Sequence, residues 1–150
     1  GLYRVNKSGG FNVPFGDNKK LGINPDNIRL VNKALKATTI KNAPFSKVIN
    51  YAKKDDFIYF DPPYYPLNKT SSFTTYTNET FLEKEQEELA ALFKKLDKMG
   101  CKVMLSNSDT KFIRDLYRGY DIQKVYARRY INSAADKRGK IAEVVVRNYK

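Results

Sequence analysis

The sequence contains no histidine and a single cysteine, Cys101, in 150 residues. Without histidine, a Ser-His-Asp triad, a His-ligated metal centre and imidazole general-base chemistry are excluded within it. One cysteine excludes an internal disulfide framework and a Cys-based zinc site. Its place at the start of an apolar run marks Cys101 as a small buried residue. No apolar stretch approaches the roughly 20 residues of a membrane span. No secretory signal pattern opens the chain, and there are no internal repeats or low-complexity tracts. An initiator Met is also missing, since the chain starts Gly1-Leu2-Tyr3, as expected of a fragment or a trimmed product. What remains is globular in composition, 41% hydrophobic and 13% aromatic. That suffices for one domain, or a piece of one, to bury roughly 70% of its unfolded surface.

Charge is abundant and uneven. Lys and Arg number 28 against 16 Asp and Glu, a net charge of +12. Residues 1–56 hold 11 basic and 4 acidic side chains, residues 57–120 hold 9 of each, and residues 121–150 hold 8 and 3. A neutral middle between two basic flanks suits a polyanion contacted from two sides of a central site, although a generally lysine-rich surface gives the same counts.

Periodicity and punctuation predict an α/β chain. Gly9-Gly10 and Gly16-Asp17-Asn18 read as turns, with Phe11, Val13 and Phe15 alternating between them. Asn24 caps a helix with Pro25 in its first turn, and Ile28, Val31 and Leu35 share a face. Thr38 to Lys41 reads as a short strand and Ser46 to Ala52 as a short helix. Phe57-Ile58-Tyr59-Phe60 is a continuous apolar run, as expected of a strand buried on both faces. Residues 66–79 form a long polar loop, the kind that is functional or disordered. Thr80 and Glu83 suggest a capping box for a helix striped by Leu82, Leu89, Phe93 and Leu96, which Gly100 stops. Cys101 to Leu105 predicts a strand followed by Ser106-Asn107-Ser108. Ser108 or Asp109 then caps a short helix through Tyr117. Ile122–Tyr126 and Ile141–Val146 complete a mostly parallel sheet with a final hairpin, the two strands joined by a basic loop over 127–140.

The strongest local signal is Asp61-Pro62-Pro63-Tyr64 directly after a buried strand. In open α/β sheets, ligands bind beyond the carboxyl ends of the strands. An exocyclic amino nitrogen on a flat base is a poor nucleophile because its lone pair is delocalised into the ring. Two acceptors aimed at its two hydrogens pull it toward tetrahedral geometry. The Asp61 carboxylate supplies one and the Pro62 carbonyl the other. Consecutive prolines fix φ and remove competing N–H donors, and Tyr64 offers a face for stacking. A strand-ending turn is the structural alternative, since Asp-Pro is ordinary in turns.

These four residues resemble the catalytic motif of the Dam-type adenine-specific DNA methyltransferases. The likeness extends along the chain in the family's order. Leu2-Tyr3-Arg4-Val5-Asn6-Lys7, Gly9 and Phe11-Asn12-Val13-Pro14-Phe15-Gly16 are similar to the end of its target-recognition segment. Pro66-Leu67 and Ser72-Phe73-Thr74-Thr75-Tyr76 resemble the loop after the catalytic motif. Leu105-Ser106-Asn107-Ser108-Asp109-Thr110 resembles the next strand end, and Arg128-Arg129-Tyr130-Ile131-Asn132-Ser133 the loop before the last strand. The segment departs from many members at Val5, where they have an aromatic, and at Gly10, where they have an acid.

The resemblance implies a partial Rossmann-like sheet of the S-adenosylmethionine-dependent methyltransferases, mostly parallel with a final antiparallel hairpin. Residues 1–24 would be the end of the target-recognition segment and residues 25–150 the catalytic portion. The family's amino-terminal cofactor half carries a Phe-x-Gly-x-Gly turn, which this sequence lacks, so the isolated chain is expected to bind cofactor poorly and to be inactive. The implied activity is methyl transfer from S-adenosylmethionine to N6 of an adenine flipped out of double-stranded DNA, usually within a short palindrome. Asp61, Pro62, Pro63 and Tyr64 would be catalytic, and Phe45 and Asp61 would meet the cofactor. Arg4, Asn6, Lys7, Asn12, Lys19, Lys20, Phe73, Tyr76, Arg128 and Arg129 would face DNA. A bacterial or phage cytoplasm, a monomer with no membrane association, and a cognate restriction endonuclease as a partner fit the same picture. Two alternatives stay open: a non-catalytic nucleic-acid-binding remnant, and a methyltransferase for cytosine N4 or an RNA adenine.

Overall fold

The computed structural model describes residues 6, 8–11, 23–67, 81–128 and 140–150, with the side chains of Arg128 and Lys140 left aside. The expected turn at 16–18, the 68–79 part of the polar loop, the Thr80 cap and the 129–139 part of the basic loop lie outside the described residues. The chain divides into two units, residues 1–43 and 44–150.

In the first unit, the Asn6 side-chain oxygen accepts from the backbone N–H of Ser8 and Gly10. This closes a turn in which Gly9 takes φ +79°, a conformation open to glycine. Helix α1 spans Pro25–Leu35, and its Asn24 cap accepts from Asn27 N at 3.1 Å, as the Asn-Pro pair predicts. Its apolar residues Ile28, Val31 and Leu35 are exposed and none of its residues is buried. The strand expected over Thr38–Lys41 is absent. That segment is irregular and Ile40 is 75% exposed: β-branched residues favour a strand only where a partner edge is available to pair them.

The second unit holds the core. A 3₁₀ helix at Phe45–Asn50 precedes β1 (Phe57–Phe60), then come α2 (Glu83–Lys98), β2 (Lys102–Ser108), α3 (Lys111–Leu116), β3 (Asp121–Arg128) and β4 (Lys140–Arg147). These strands form one sheet in the order β1-β2-β4-β3. β1 and β2 are parallel, whereas β4 runs antiparallel to both β2 and β3. The final hairpin is therefore present, but its return strand enters the sheet between β2 and β3. The apolar run Val144-Val145-Val146 suits that central place. Pairing with β4 also draws Ser106, Asn107 and Ser108 into β2, where the sequence predicted them just beyond it.

One face of the sheet is packed. Val103, Leu105, Val144 and Val146 meet Leu89, Phe93 and Leu96 of α2 and Ile113 of α3, with Tyr117 just beyond α3. Each fully buried Leu or Phe contributes about 1.5–3 kcal/mol of transfer free energy. The other face is open along β1, where Phe57 and Tyr59 are 57% and 49% exposed. The expectation that β1 is buried on both faces is thus corrected: it is an edge strand among the described residues, and its burial alternates.

Helix ends also differ from expectation. Helix α2 starts later than a Thr80 cap implies, and Glu85 accepts from Leu82 N at 2.9 Å. It ends as the glycine predicts. Gly100 sits at φ +82°, its N–H bonds to Asp97 O, and the Cys101 N–H bonds to Leu96 O, the paired closure of a Schellman motif. Helix α3 is capped by Thr110, which accepts from Ile113 N. Asp109 is diverted into ion pairs with Arg114 and Lys124.

At the amino ends of the parallel strands a polar clasp closes the unit. Asn148 accepts from Val103 N at 2.7 Å and donates to Asp97 Oδ1 at 2.6 Å and Cys101 O at 2.9 Å. Tyr120 donates to the other Asp97 oxygen at 2.9 Å. Cys101 is buried, as expected; its thiol donates to Lys53 O, and burial pushes its pKa up.

Candidate active site

Asp61 stands one residue past the carboxyl end of β1, and its parallel register continues onto Ser106 of β2, since Phe60 pairs with Leu105. Alternation puts Tyr59, Asp61, Met104 and Ser106 on one face. Ser106 Oγ donates to Asp61 Oδ1 at 2.9 Å, and Tyr59 OH lies 2.8 Å from Ser106 Oγ. Asp61 is exposed, and its second oxygen has no hydrogen-bond partner among the described residues.

The following residues are held from behind. Gln86 of α2 donates to Pro63 O at 3.0 Å, and Asn107 of β2 donates to Gln86 Oε1 at 3.0 Å. The Asn107 side-chain oxygen in turn accepts from the backbone N–H of Tyr65 at 2.9 Å and of Ser108 at 2.8 Å. Gln86 and Asn107 are fully buried, so each bond satisfies a group that has no access to water. This brace fixes the elbow on both sides of Tyr64. It occupies the Pro63 carbonyl, while the Pro62 carbonyl accepts no hydrogen bond among the described residues.

The two tyrosines have separate fates. Tyr65 donates to Glu83 Oε1 at 2.6 Å and packs on Phe112 with ring centroids 4.7 Å apart. That bond raises the Tyr65 pKa and lowers that of Glu83. Tyr64 is half-buried. Burial raises its phenol pKa, the Ser106 hydroxyl lowers it, and the charges of Glu143 and Asp61 raise it further.

A cavity of about 300 Å³ opens in front of Asp61, lined by Phe45, Tyr59, Phe60, Asp61, Pro62, Pro63, Phe81 and Leu89. Phe45 and Phe81 meet edge to face at 5.8 Å, giving the cavity an aromatic wall as well as a carboxylate. This apolar, aromatic lining with one carboxylate suits a flat heteroaromatic with a polar, hydrogen-donating end.

Of the residues predicted from sequence, Phe45, Asp61, Pro62 and Pro63 are brought together at this cavity, with Tyr64 beside it. Asn6 is described in the other unit, where its oxygen is committed to its own turn. Arg128 ends β3, paired with Lys140. Arg4, Lys7, Asn12, Lys19, Lys20, Phe73, Tyr76 and Arg129 lie outside the described residues. Sequence reasoning gave no role to Tyr59, Gln86, Ser106 and Asn107. A signal was available for two of them: a polar Ser-Asn pair closing an apolar strand falls where α/β sheets place ligands.

Comparison with known proteins identifies the family. The family model described as D12 class N6 adenine-specific DNA methyltransferase matches residues 1–131. The Type II methyltransferase M.MjaIII of Methanocaldococcus jannaschii is 49% identical over 99% of this chain and 53% of its own length. The Type II methyltransferase M1.LlaDCHI of Lactococcus lactis is 42% identical over 99% of this chain and 54% of its own. A DNA adenine methylase of Vibrio cholerae is 38% identical over 97% of this chain and 53% of its own. The chain thus spans about half the length of these curated relatives. With the elbow, the cavity and the matched residues in hand, the chain belongs to the D12 class of N6 adenine-specific DNA methyltransferases.

Proposed function

We propose that this chain carries the catalytic elbow of a site-specific DNA adenine methyltransferase, acting on N6 of an adenine extruded from duplex DNA. The observation that carries the reading is the pair of open acceptors at the cavity, the second oxygen of Asp61 and the Pro62 carbonyl, on a backbone held rigid by buried amides. An adenine amine placed there meets one acceptor per hydrogen, and its lone pair is freed from the ring. S-adenosylmethionine supplies an electrophilic methyl group. Once that group is bound beside it, Asp61 would hold N6 by one hydrogen and would take that proton as the amine is methylated, passing it on to solvent. Positioning carries the rate, since no side chain need act as nucleophile.

A base inside a duplex cannot reach this depth, so it must be flipped. The Tyr64 ring stacks on it, a contact worth about 1–3 kcal/mol. Phe45 and Phe81 offer an aromatic wall to the cofactor beside a partial Rossmann-like methyltransferase sheet. Residues 1–24 serve as the end of the target-recognition segment and residues 25–150 as the catalytic portion, with Arg4 and Lys7 among the contacts to bases and phosphates. Double-stranded DNA is the partner. Relatives named Type II methyltransferases support a restriction endonuclease as a second one, and a monomer in the cytoplasm is the expected form. Among the described residues no helix is long and apolar enough to cross a membrane.

The test is nucleoside mass spectrometry on DNA from a methylation-free host expressing the complete gene product. N6-methyladenine in a fixed sequence context supports the reading. N4-methylcytosine, or no modified base, overturns it.

A further inference from the structure

We propose that Ser106, backed by Tyr59, is the positioning residue of this site, committing one oxygen of Asp61 to the protein so that the other is presented to the amine. The inference rests on the function proposed above and deepens it. The direction of the chain of bonds follows from the inventory of protons. A carboxylate only accepts, so Ser106 must spend its single proton on Asp61 Oδ1. The 2.8 Å contact between Tyr59 and Ser106 is then a bond in which the phenol donates. Tyr59, Ser106 and Asp61 form one file of donors ending on the carboxylate, fed from the exposed face of the sheet.

Three features single the file out. Ser106 is 6% exposed, so bulk water does not compete for its hydroxyl. It stands in the middle of β2, opposite Val145, where an apolar side chain would pack as well and form strand more readily. Asp61, by contrast, is exposed and free of ion pairs among the described residues; without an anchor its carboxyl would rotate between rotamers and present either oxygen. The Gln86–Asn107 brace fixes the backbone around Tyr64 but touches no atom of the Asp61 side chain, so among the described residues the orientation of the carboxyl falls to Ser106.

The experiment uses the complete gene product and four variants, Ser106→Ala, Ser106→Thr, Tyr59→Phe and the double variant Ser106→Ala with Tyr59→Phe. Single-turnover methylation, duplex affinity and thermal midpoint are measured for each. A lost hydrogen bond to a charged group corresponds to about a 10- to 100-fold fall in rate. Ser106→Ala should show that fall with duplex affinity and midpoint close to wild type. Ser106→Thr, which keeps the hydroxyl, should recover most of the rate. Tyr59→Phe should cost less, and adding it to Ser106→Ala should cost nothing further, because Tyr59 acts through Ser106. A Ser106→Ala enzyme at wild-type rate, or additive losses in the double variant, overturns the inference while the wild-type methylation itself still supports the function. A wild type that leaves adenine unmethylated removes both.

Discussion

At the amino ends of β1 and β2, Asn148, Asp97, Tyr120 and the backbone of Cys101 and Val103 satisfy one another. At the carboxyl ends, Asp61 and Pro62 line a cavity, and the second oxygen of Asp61 and the Pro62 carbonyl have no hydrogen-bond partners among the described residues. Both ends draw on the same chemistry, a carboxylate flanked by a tyrosine and small polar side chains. They differ in where the last acceptor points. The amino end turns it inward and gains stability; the carboxyl end leaves it outward and gains a place for a donor to bind. The buried Gln86–Asn107 brace lies behind the second and gives it the rigidity of the first.

Substitutions at the two ends should therefore have opposite signatures. The largest effect is expected from Asp61→Ala. In the complete gene product it should lower the rate of labelled methyl transfer by about 10²–10³-fold, the cost of removing one preorganised charge-stabilising group, with duplex affinity and melting nearly unchanged. Loss of folding would recast the elbow as a structural turn. Asn148→Ala should do the reverse. It strands Val103 N, Cys101 O and one Asp97 oxygen, so urea unfolding should show a loss of about 2–4 kcal/mol, with the rate per folded molecule preserved. Gln86→Ala sharpens the contrast because it lies between the two cases. It frees the Pro63 carbonyl and leaves Asn107 unsatisfied, costing about 1–3 kcal/mol and some rate as well.

The smallest effect concerns pH. Burial and its bond to Asp97 push the Tyr120 phenol up to about 12, and burial also raises Tyr117. The fold thus favours the neutral phenol. That contribution is complete below the ordinary tyrosine value of about 10 and is lost as the pH climbs toward 12. Urea midpoints followed across this alkaline range should fall, and Tyr120→Phe should flatten part of the fall.

How far these features could be read in advance depended on sequence distance. The Asp61–Tyr64 elbow was legible because its acceptors are adjacent residues and its prolines set its geometry locally. The Asn24 and Gly100 helix ends were legible for the same reason. Ser106 and Tyr59 are 47 positions apart, and Gln86 reaches Pro63 across 23; such pairs exist only once β1, β2 and α2 are in register. The strand expected at Thr38–Lys41 failed because propensity cannot supply a pairing edge. Ser108 or Asp109 was expected to cap α3, but Thr110 takes that place and the charge of Asp109 finds Arg114 and Lys124 instead. The insertion of β4 between β2 and β3 was hidden because a hairpin reads the same whether its second strand ends at an edge or in the centre.

The proposed grip on the amine can be measured outright in a structure of the complete gene product with its target duplex and a non-reactive cofactor analogue. The adenine N6 should lie within about 2.7–3.2 Å of both the second oxygen of Asp61 and the Pro62 carbonyl, with Ser106 still bonded to the first oxygen. An adenine that remains stacked in the duplex, or that enters the cavity with its amine turned away from Asp61, would contradict the mechanism.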